Sequence, residues 1–512
     1  MRPVLSVLFC SILIVSSLAS IPRDAVAQLI GLKTVPVAAG EQFAIFPSLN
    51  RSMGGASIAM NDPLLDPFVN PAKGGRVTSP LFFSSPTFYG VSEGNGVTRT
   101  LPVGALFGSP RWFGGAIAAI QQIELGGRLA NGFVPIDPAS TVLLPSRSAL
   151  AEKSSTNKYF QGMVGRKFGD GRFALAASAM FADLNMLDGI DQLFVNAWEI
   201  EEFGHMEDYR LGFTGTFPGE RTLEAVLVHN RFSMTHDVTT VDWALTDSLN
   251  WLFTPQVSQE ANLDQTNTWG VHVGYVQPIG ESAWRVGGIL TANRKLHPKI
   301  PTFDLAAVEL PQARLIPRDP GDSWVYNIGL GISKHERNTT FGLDVVYEPG
   351  VSYTWADDTR DVTAADGSII PAGGKTVENW FVFSNASLNV GINQDVDNTA
   401  FQLGLRVHSV DYRLRQEDHV EMTRRTQNEE WIEWTPSWGF RVKFSGLELR
   451  YQGSASSASH FPFINLDFDG DDLLTVADAG GFTNVLAAPR GDLVVPDLTV
   501  TSHRLAISVP IR

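Results

Sequence analysis

Cysteine is nearly absent from this 512-residue chain: the only one is Cys10, inside an apolar N-terminal stretch. Beyond it, disulfides and thiol chemistry are excluded. A large secreted eukaryotic protein would more often use disulfides, so a bacterial envelope is favoured. Long apolar runs are missing too. The longest, Val4–Leu18, falls short of the roughly 20 residues that a spanning helix needs, so no transmembrane helix is expected. Positive charge is scarce, with Lys+Arg 39 against Asp+Glu 54, a net of −15 and no basic patch or tail. Nucleic acid is therefore not an expected partner. Catalytic motifs are lacking as well. The ten histidines are scattered, and there is no HExxH, no Gly-x-Ser-x-Gly and no phosphate-cradling loop, so no enzyme is expected. A Ser and a His that converge only in the fold would leave no mark in spacing.

What the chain does have begins with a secretory signal peptide, residues 1–27. Arg2 supplies its charge, Val4–Leu18 its apolar core and Ala25-Val26-Ala27 a small-residue cleavage site. After residue 80 a period of two dominates. In 209–217, Tyr209, Leu211, Phe213 and Phe217 alternate with Arg210, Gly212, Thr214 and Thr216. In 324–333, Trp324, Tyr326, Ile328, Leu330 and Ile332 alternate with Asn327, Gly329, Gly331 and Ser333. One face is apolar and aromatic, the other small or polar, which suits a strand between two environments.

Connection lengths separate a membrane barrel from a soluble sandwich. Short turns at 108–110, 169–171, 218–220, 278–281, 334–338, 394–397 and 445–446 alternate with long polar stretches. The long ones lie near 124–157, 184–206, 237–264, 295–322, 353–375, 416–429 and 457–498. A meander in a membrane keeps tight turns at one end and long loops at the other. The expected fold is all-β: over residues 81–512, a closed antiparallel transmembrane β-barrel in the lipid of the bacterial outer membrane. Seven turns imply fourteen strands, and Leu81–Val91 with Thr499–Ile511 would make sixteen. Pro86 and Pro102 sit badly in a closed ladder and leave both counts open. Trp112, Tyr159, Trp269, Tyr275, Trp284, Trp324, Tyr347, Trp380, Trp434 and Trp438 are expected at the two interfaces.

Residues 28–80 do not follow the alternation. Arg51–Arg76, RSMGGASIAMNDPLLDPFVNPAKGGR, is too apolar for a linker and is broken by Gly54, Gly55, Pro63, Pro67 and Pro71. It needs an enclosure, and the barrel is one. The motif MGGASIAMNDP followed by Asn70-Pro71-Ala72 resembles the N-terminal region of the long-chain fatty-acid transporter (FadL) family of outer-membrane barrels, and also PorV-type barrels. Pro63-Leu64-Leu65-Asp66-Pro67 departs from that pattern. The resemblance implies a plug (hatch) over residues 28–80 and passive transport of hydrophobic small molecules such as long-chain fatty acids. The alternative it implies is a PorV-like barrel acting as a secretion or surface-attachment partner for a protein. On the transport reading, Ile58, Met60, Leu64, Leu65, Phe68 and Val69, with Asn70, Pro71 and Ala72, line the ligand's path. Apolar burial would drive its binding.

Two wall irregularities and one loop complete the candidates. Gly114-Gly115 and Gly126-Gly127 bracket the third strand, where missing side chains permit a kink; by resemblance, such a kink would open a lateral exit. At His408-Ser409 the apolar parity changes, from Leu403, Leu405 and Val407 to Val410, Tyr412 and Leu414, as an inserted residue would cause. In the last long loop, Asp467, Asp469, Asp471, Thr475 and Asp478 take positions 1, 3, 5, 9 and 12 of a calcium-type loop. No cofactor is required on this reading, and a calcium ion there would be structural.

Overall fold

The computed structural model describes residues 29–34, 42–92, 96–126, 154–192, 197–247, 252–297, 321–358, 360–459 and 498–511. The alternating segments form strands. The first half contributes β1 (Leu81–Ser84), β2 (Thr87–Val91), β3 (Gly96–Gly108), β4 (Trp112–Leu125), β5 (Ser154–Phe168), β6 (Phe173–Leu184), β7 (Ala197–Phe217) and β8 (Arg221–Asp247). Then follow β9 (Leu252–Pro278), β10 (Trp284–His297), β11 (Gly321–Glu336), β12 (Thr339–Asp357) and a small surface hairpin, β13 (Val362–Thr363) with β14 (Ile369–Ile370). The wall ends with β15 (Lys375–Val396), β16 (Thr399–Asp418), β17 (Thr423–Phe444), β18 (Leu447–Ser459) and β19 (Thr499–Pro510).

Apart from the β13–β14 hairpin, each strand pairs antiparallel with its neighbours in order, and β19 returns to pair with both β1 and β2. That closes the sheet and removes its edges. β1 and β2 are one strand. Ser84 lies opposite Val103 and Thr87 opposite Thr100, so the register to β3 continues across the break, and it does so against β19 as well. Pro86 has no N–H to give, yet its carbonyl still accepts from Leu505 N–H at 2.9 Å. Seventeen paired segments, less one for this interruption, make sixteen strands, which settles the open count.

The tight turns fall where expected, all at one end. Four of them use left-handed non-glycine residues, Asp170 (φ 57°), Glu220 (φ 57°), Arg337 (φ 52°) and Asp397 (φ 52°). At the other end three expectations need correction. Residues 237–264 and 416–429 are not loops for most of their length: β8 and β9 run to Asp247 and from Leu252, and β16 and β17 to Asp418 and from Thr423. There the pairing continues through sequence that lacks the long apolar alternation of the belt. There is also no inserted residue at His408-Ser409. The ladders from β16 to β15 and to β17 pass that point without a register shift. Tyr159 is not at an interface; it is 3% exposed and shares the inward parity of Asn157 and Gln161.

Outward residues form a continuous apolar belt, with Leu330 68%, Leu403 62% and Ile120 60% exposed. Aromatic rings with cations over them mark its two rims. At the short-turn end Arg166 lies 5.6 Å from the Trp112 ring and Lys334 5.6 Å from Trp284; at the far end Arg294 lies 5.7 Å from Trp324 and Arg415 4.9 Å from Trp380. A closed barrel with such a belt and girdles is an outer-membrane barrel. Among the described residues no helix is long and apolar enough to cross a membrane.

Candidate functional site: the occupied lumen

Inward residues are mostly polar, and the N-terminal segment lies among them. Asp62 ties that segment together. One carboxylate oxygen accepts from the Ser48 hydroxyl (2.7 Å) and from the N–H groups of Leu49 (2.6 Å) and Asn50 (3.2 Å). The other accepts from Leu64 (3.2 Å) and Leu65 (3.1 Å). Pro67 opens the helical turn Asp66–Val69, and the Asn70 side chain caps the next turn by accepting from Ala72 N–H at 3.1 Å.

The segment is fastened to opposite sides of the wall. On β7 and β8, Asn70 donates to Glu224 (3.1 Å) and to the Phe213 carbonyl (3.3 Å), Lys73 pairs with Glu224 at 2.9 Å, and Arg210 donates to the Val69 carbonyl at 3.0 Å. Burial alone would lower Lys73, but Asp66 and Glu224 hold its ammonium above the ordinary range, so the pair stays charged at neutral pH. Gly212 is required here, because a Cβ would collide with the Asn70 oxygen. On the other side, Asp344 accepts from Ser57 (2.5 Å) and Ile58 (3.0 Å) N–H, and Ser333 donates to the Ala59 carbonyl at 2.8 Å. Gly391 and Gly404 leave room for the backbone of Met53 and Gly54.

In the outer half the inner wall changes character. Phe381, Phe383, Val410, Tyr412, Leu414 and Trp431 all point inward and are at most 1% exposed, while Asp411, Arg413 and Arg415 on the same strand point outward. The change of parity in the sequence of β16 is this inversion: apolar outward within the membrane, apolar inward beyond it. Residues 29–34 lie against this surface. Leu32 is fully buried, Tyr412 donates its hydroxyl to the Thr34 carbonyl at 2.7 Å, and Ile30 N–H reaches Asn293 at 2.9 Å.

A cover lies over the opposite side of the outer mouth. Met186, Leu187 and Ile190 turn inward after β6, and the Met186 carbonyl accepts from Gln42 (3.1 Å) and Asn157 (2.8 Å). Asp191 sits in this cover. Burial, with Asp188 adding to it, pushes its carboxyl up to about 7.

The residues expected to line a path are placed as follows. Phe68 stacks on Phe46 (centroids 5.1 Å apart) and meets Phe83 edge-on at 5.8 Å; Ile58, Leu64, Val69, Asn70, Pro71 and Ala72 are buried; Met60 and Leu65 are partly exposed. They pack against each other and the wall. No bulge interrupts the ladder at Gly114-Gly115, where β4 pairs with β3 and β5 without a shift. These glycines instead admit the Phe107 and Leu106 side chains. Gly126 follows the end of β4; Gly127 and the calcium-type loop Asp467–Asp478 lie outside the described residues. On the lipid-facing wall His229 meets Asn267 at 2.9 Å, but its neighbours along and across the strands are Leu227, Arg231, Tyr209 and Trp269, none a serine.

No family model and no curated protein matches this chain. Among solved structures it is similar to a Pseudomonas aeruginosa FadL homologue, 11% identical with a TM-score of 0.43, over 96% of this chain and 100% of that one. It is also similar to the Ralstonia pickettii toluene transporter TbuX (10%, TM-score 0.39, covering 92% and 100%). The P. putida toluene transporter TodX is a third (9%, 0.37, 90% and 98%). At these values the likeness is one of fold and adds nothing to what the strand pairing establishes.

Proposed function

We propose that this protein lets hydrophobic small molecules cross the outer membrane passively, long-chain fatty acids being the members of that class its N-terminal motif suggests, and that residues 28–80 are its plug. One observation carries the reading: the lumen wall turns apolar and aromatic where residues 29–34 lie against it. Lumens that serve ions and sugars are open and polar. Here a hydrophobic molecule that displaced residues 29–34 from this wall would gain about 25 cal/mol for each Å² it covers. The stretch around Asp62 and Asn70 is fastened to the wall repeatedly, so residues 29–34 are the part a ligand is expected to displace first.

The test is uptake. Cells lacking the gene and given back the wild-type chain are expected to take up labelled palmitate faster than cells given Tyr412→Ala/Trp431→Ala, with equal barrel in the membrane. Equal uptake in deleted and restored cells overturns the transport reading. A large protein co-purifying stoichiometrically in that case would point to a secretion partner.

A further inference from the structure

We propose that a groove on the lipid-facing wall holds one acyl chain of an outer-leaflet lipid, whose phosphate head lies at Arg231. Such a site is independent of what passes through the lumen. The groove opens on the membrane, has a volume of about 700 Å³ and crosses β5 to β9. Its floor is a cross-strand row, Gly162, Ala179, Tyr209, His229 and Trp269, with Ala177 and Leu211 in the row beneath. Side chains are missing or small at the β5–β6 end, so the wall is hollow there. A Cβ at Gly162 would meet only the Phe160 ring, at 3.8 Å.

Place and charge decide the occupant. The floor row continues from Trp269 to Arg294 and Trp324, the pair at the far rim, so the groove climbs obliquely through the apolar belt to the outer headgroup level. What fills it must come from the bilayer. Four inter-strand spacings make it roughly 19 Å long, and the hydrocarbon of one leaflet is roughly 15 Å deep, so an oblique single chain fits its length. The Phe181, Tyr209, His229 and Trp269 rings pack on one another, with centroids 5.9, 6.2 and 4.1 Å apart, which fixes its shape. The row above banks it with Phe160 and Phe181 at the deeper end and with Glu207, Arg231 and Asn267 at the shallower one. Asn267 meets His229 at 2.9 Å. The Arg231 side chain is 57% exposed, and the Glu207 carboxylate beside it stands 3.7 Å away, beyond hydrogen-bond length. Its N–H groups are therefore open to an anion, and phosphate is the anion that bilayer lipids carry at this level. The apolar floor takes the chain behind it.

The test is native mass spectrometry of the purified full chain in detergent. It is titrated with dioleoylphosphatidylglycerol, with dioleoylglycerol (the same chains without the phosphate) and with palmitate. The wild type is expected to keep one phospholipid, bound about fivefold or more tighter than the diacylglycerol. Ala179→Phe fills the groove and is expected to weaken that lipid about tenfold or more. Leu330→Phe, added bulk elsewhere on the belt, is expected to leave it bound. Arg231→Gln is expected to bring the phospholipid down to the affinity of the diacylglycerol. Equal loss in Ala179→Phe and Leu330→Phe overturns the proposal, as does a wild type that holds phospholipid and diacylglycerol equally or holds neither. That last comparison needs no variant, so it decides even if Ala179→Phe fails to fold. Retention of palmitate in place of the phospholipid would assign the groove to cargo, and a lipid-free dimer that Ala179→Phe splits would assign it to a second copy of the chain; either overturns the proposal.

Discussion

Two buried carboxylates in this barrel have opposite surroundings, and the difference has a consequence. Asp62 accepts five hydrogen bonds from its own segment, so its charge is well served. Asp191 in the outer cover has an oxygen with no partner, lies near Asp188 and Glu202, and is pushed up to about 7 by burial first and Asp188 next. An exposed carboxylate titrates near 3.9. Between about pH 4 and 7 the closed cover therefore keeps a proton that an open cover has released. Closure is strongest in acid, weakens as pH rises across that window and is flat above it, by of the order of 2–4 kcal/mol in all. Amides of residues 185–190 are expected to exchange more slowly at pH 5 than at pH 8, after correction for intrinsic rates. Asp191→Asn is expected to abolish the difference and protect the cover at pH 8. Equal protection at both pH values in the wild type would refute the assignment.

At the level of elements, the glycines divide by what they face. A Cβ at Gly404 would collide with the Gly54 backbone, and one at Gly391 with Met53. At Gly162, on the lipid side, a Cβ would meet only the Phe160 ring at 3.8 Å. Gly404→Val is therefore expected to lift the turn at 52–55 off the wall while the barrel stays folded, raising ion conductance in planar bilayers; Gly162→Val is expected to leave conductance unchanged. Conductance that Gly404→Val leaves at the wild-type value would mean the plug is held elsewhere. None of this contact map is legible in sequence, because the wall glycines belong to strands hundreds of residues from the segment they admit. The seven tight turns were legible, since turns such as Gly169–Gly171 and Ser445-Gly446 need residues that tolerate left-handed backbone. The far ends of β8, β9, β16 and β17 were not. There the long apolar alternation of the belt stops, and a strand without it reads as a loop. The parity change at His408 is legible in the sequence, but no inserted residue causes it. It marks the level at which the apolar face turns from lipid to lumen, and Tyr412 and Trp431 follow from it.

For the molecule as a whole, exposure alone cannot distinguish a side chain in lipid from one in water, and the architecture supplies the distinction. Leu330 (68% exposed) is in the middle of β11, opposite Gly288 and Val345, within the belt between the two aromatic rims. Ile369 (66% exposed) is on the β13–β14 hairpin, in the connection that leaves the outer end of β12. If the belt is in the bilayer, Leu330→Arg puts a guanidinium near the midplane and costs about 2–4 kcal/mol of folding free energy. Ile369→Arg, equally exposed but in water, stays within about 0.5 kcal/mol of the wild type. Both are read from urea-dependent folding into phospholipid vesicles. In detergent micelles, which wrap loosely around an arginine, the gap between the two is expected to narrow. Equal costs in vesicles would place Leu330 outside the bilayer, and the sixteen-stranded wall would then have to be oriented differently in its membrane.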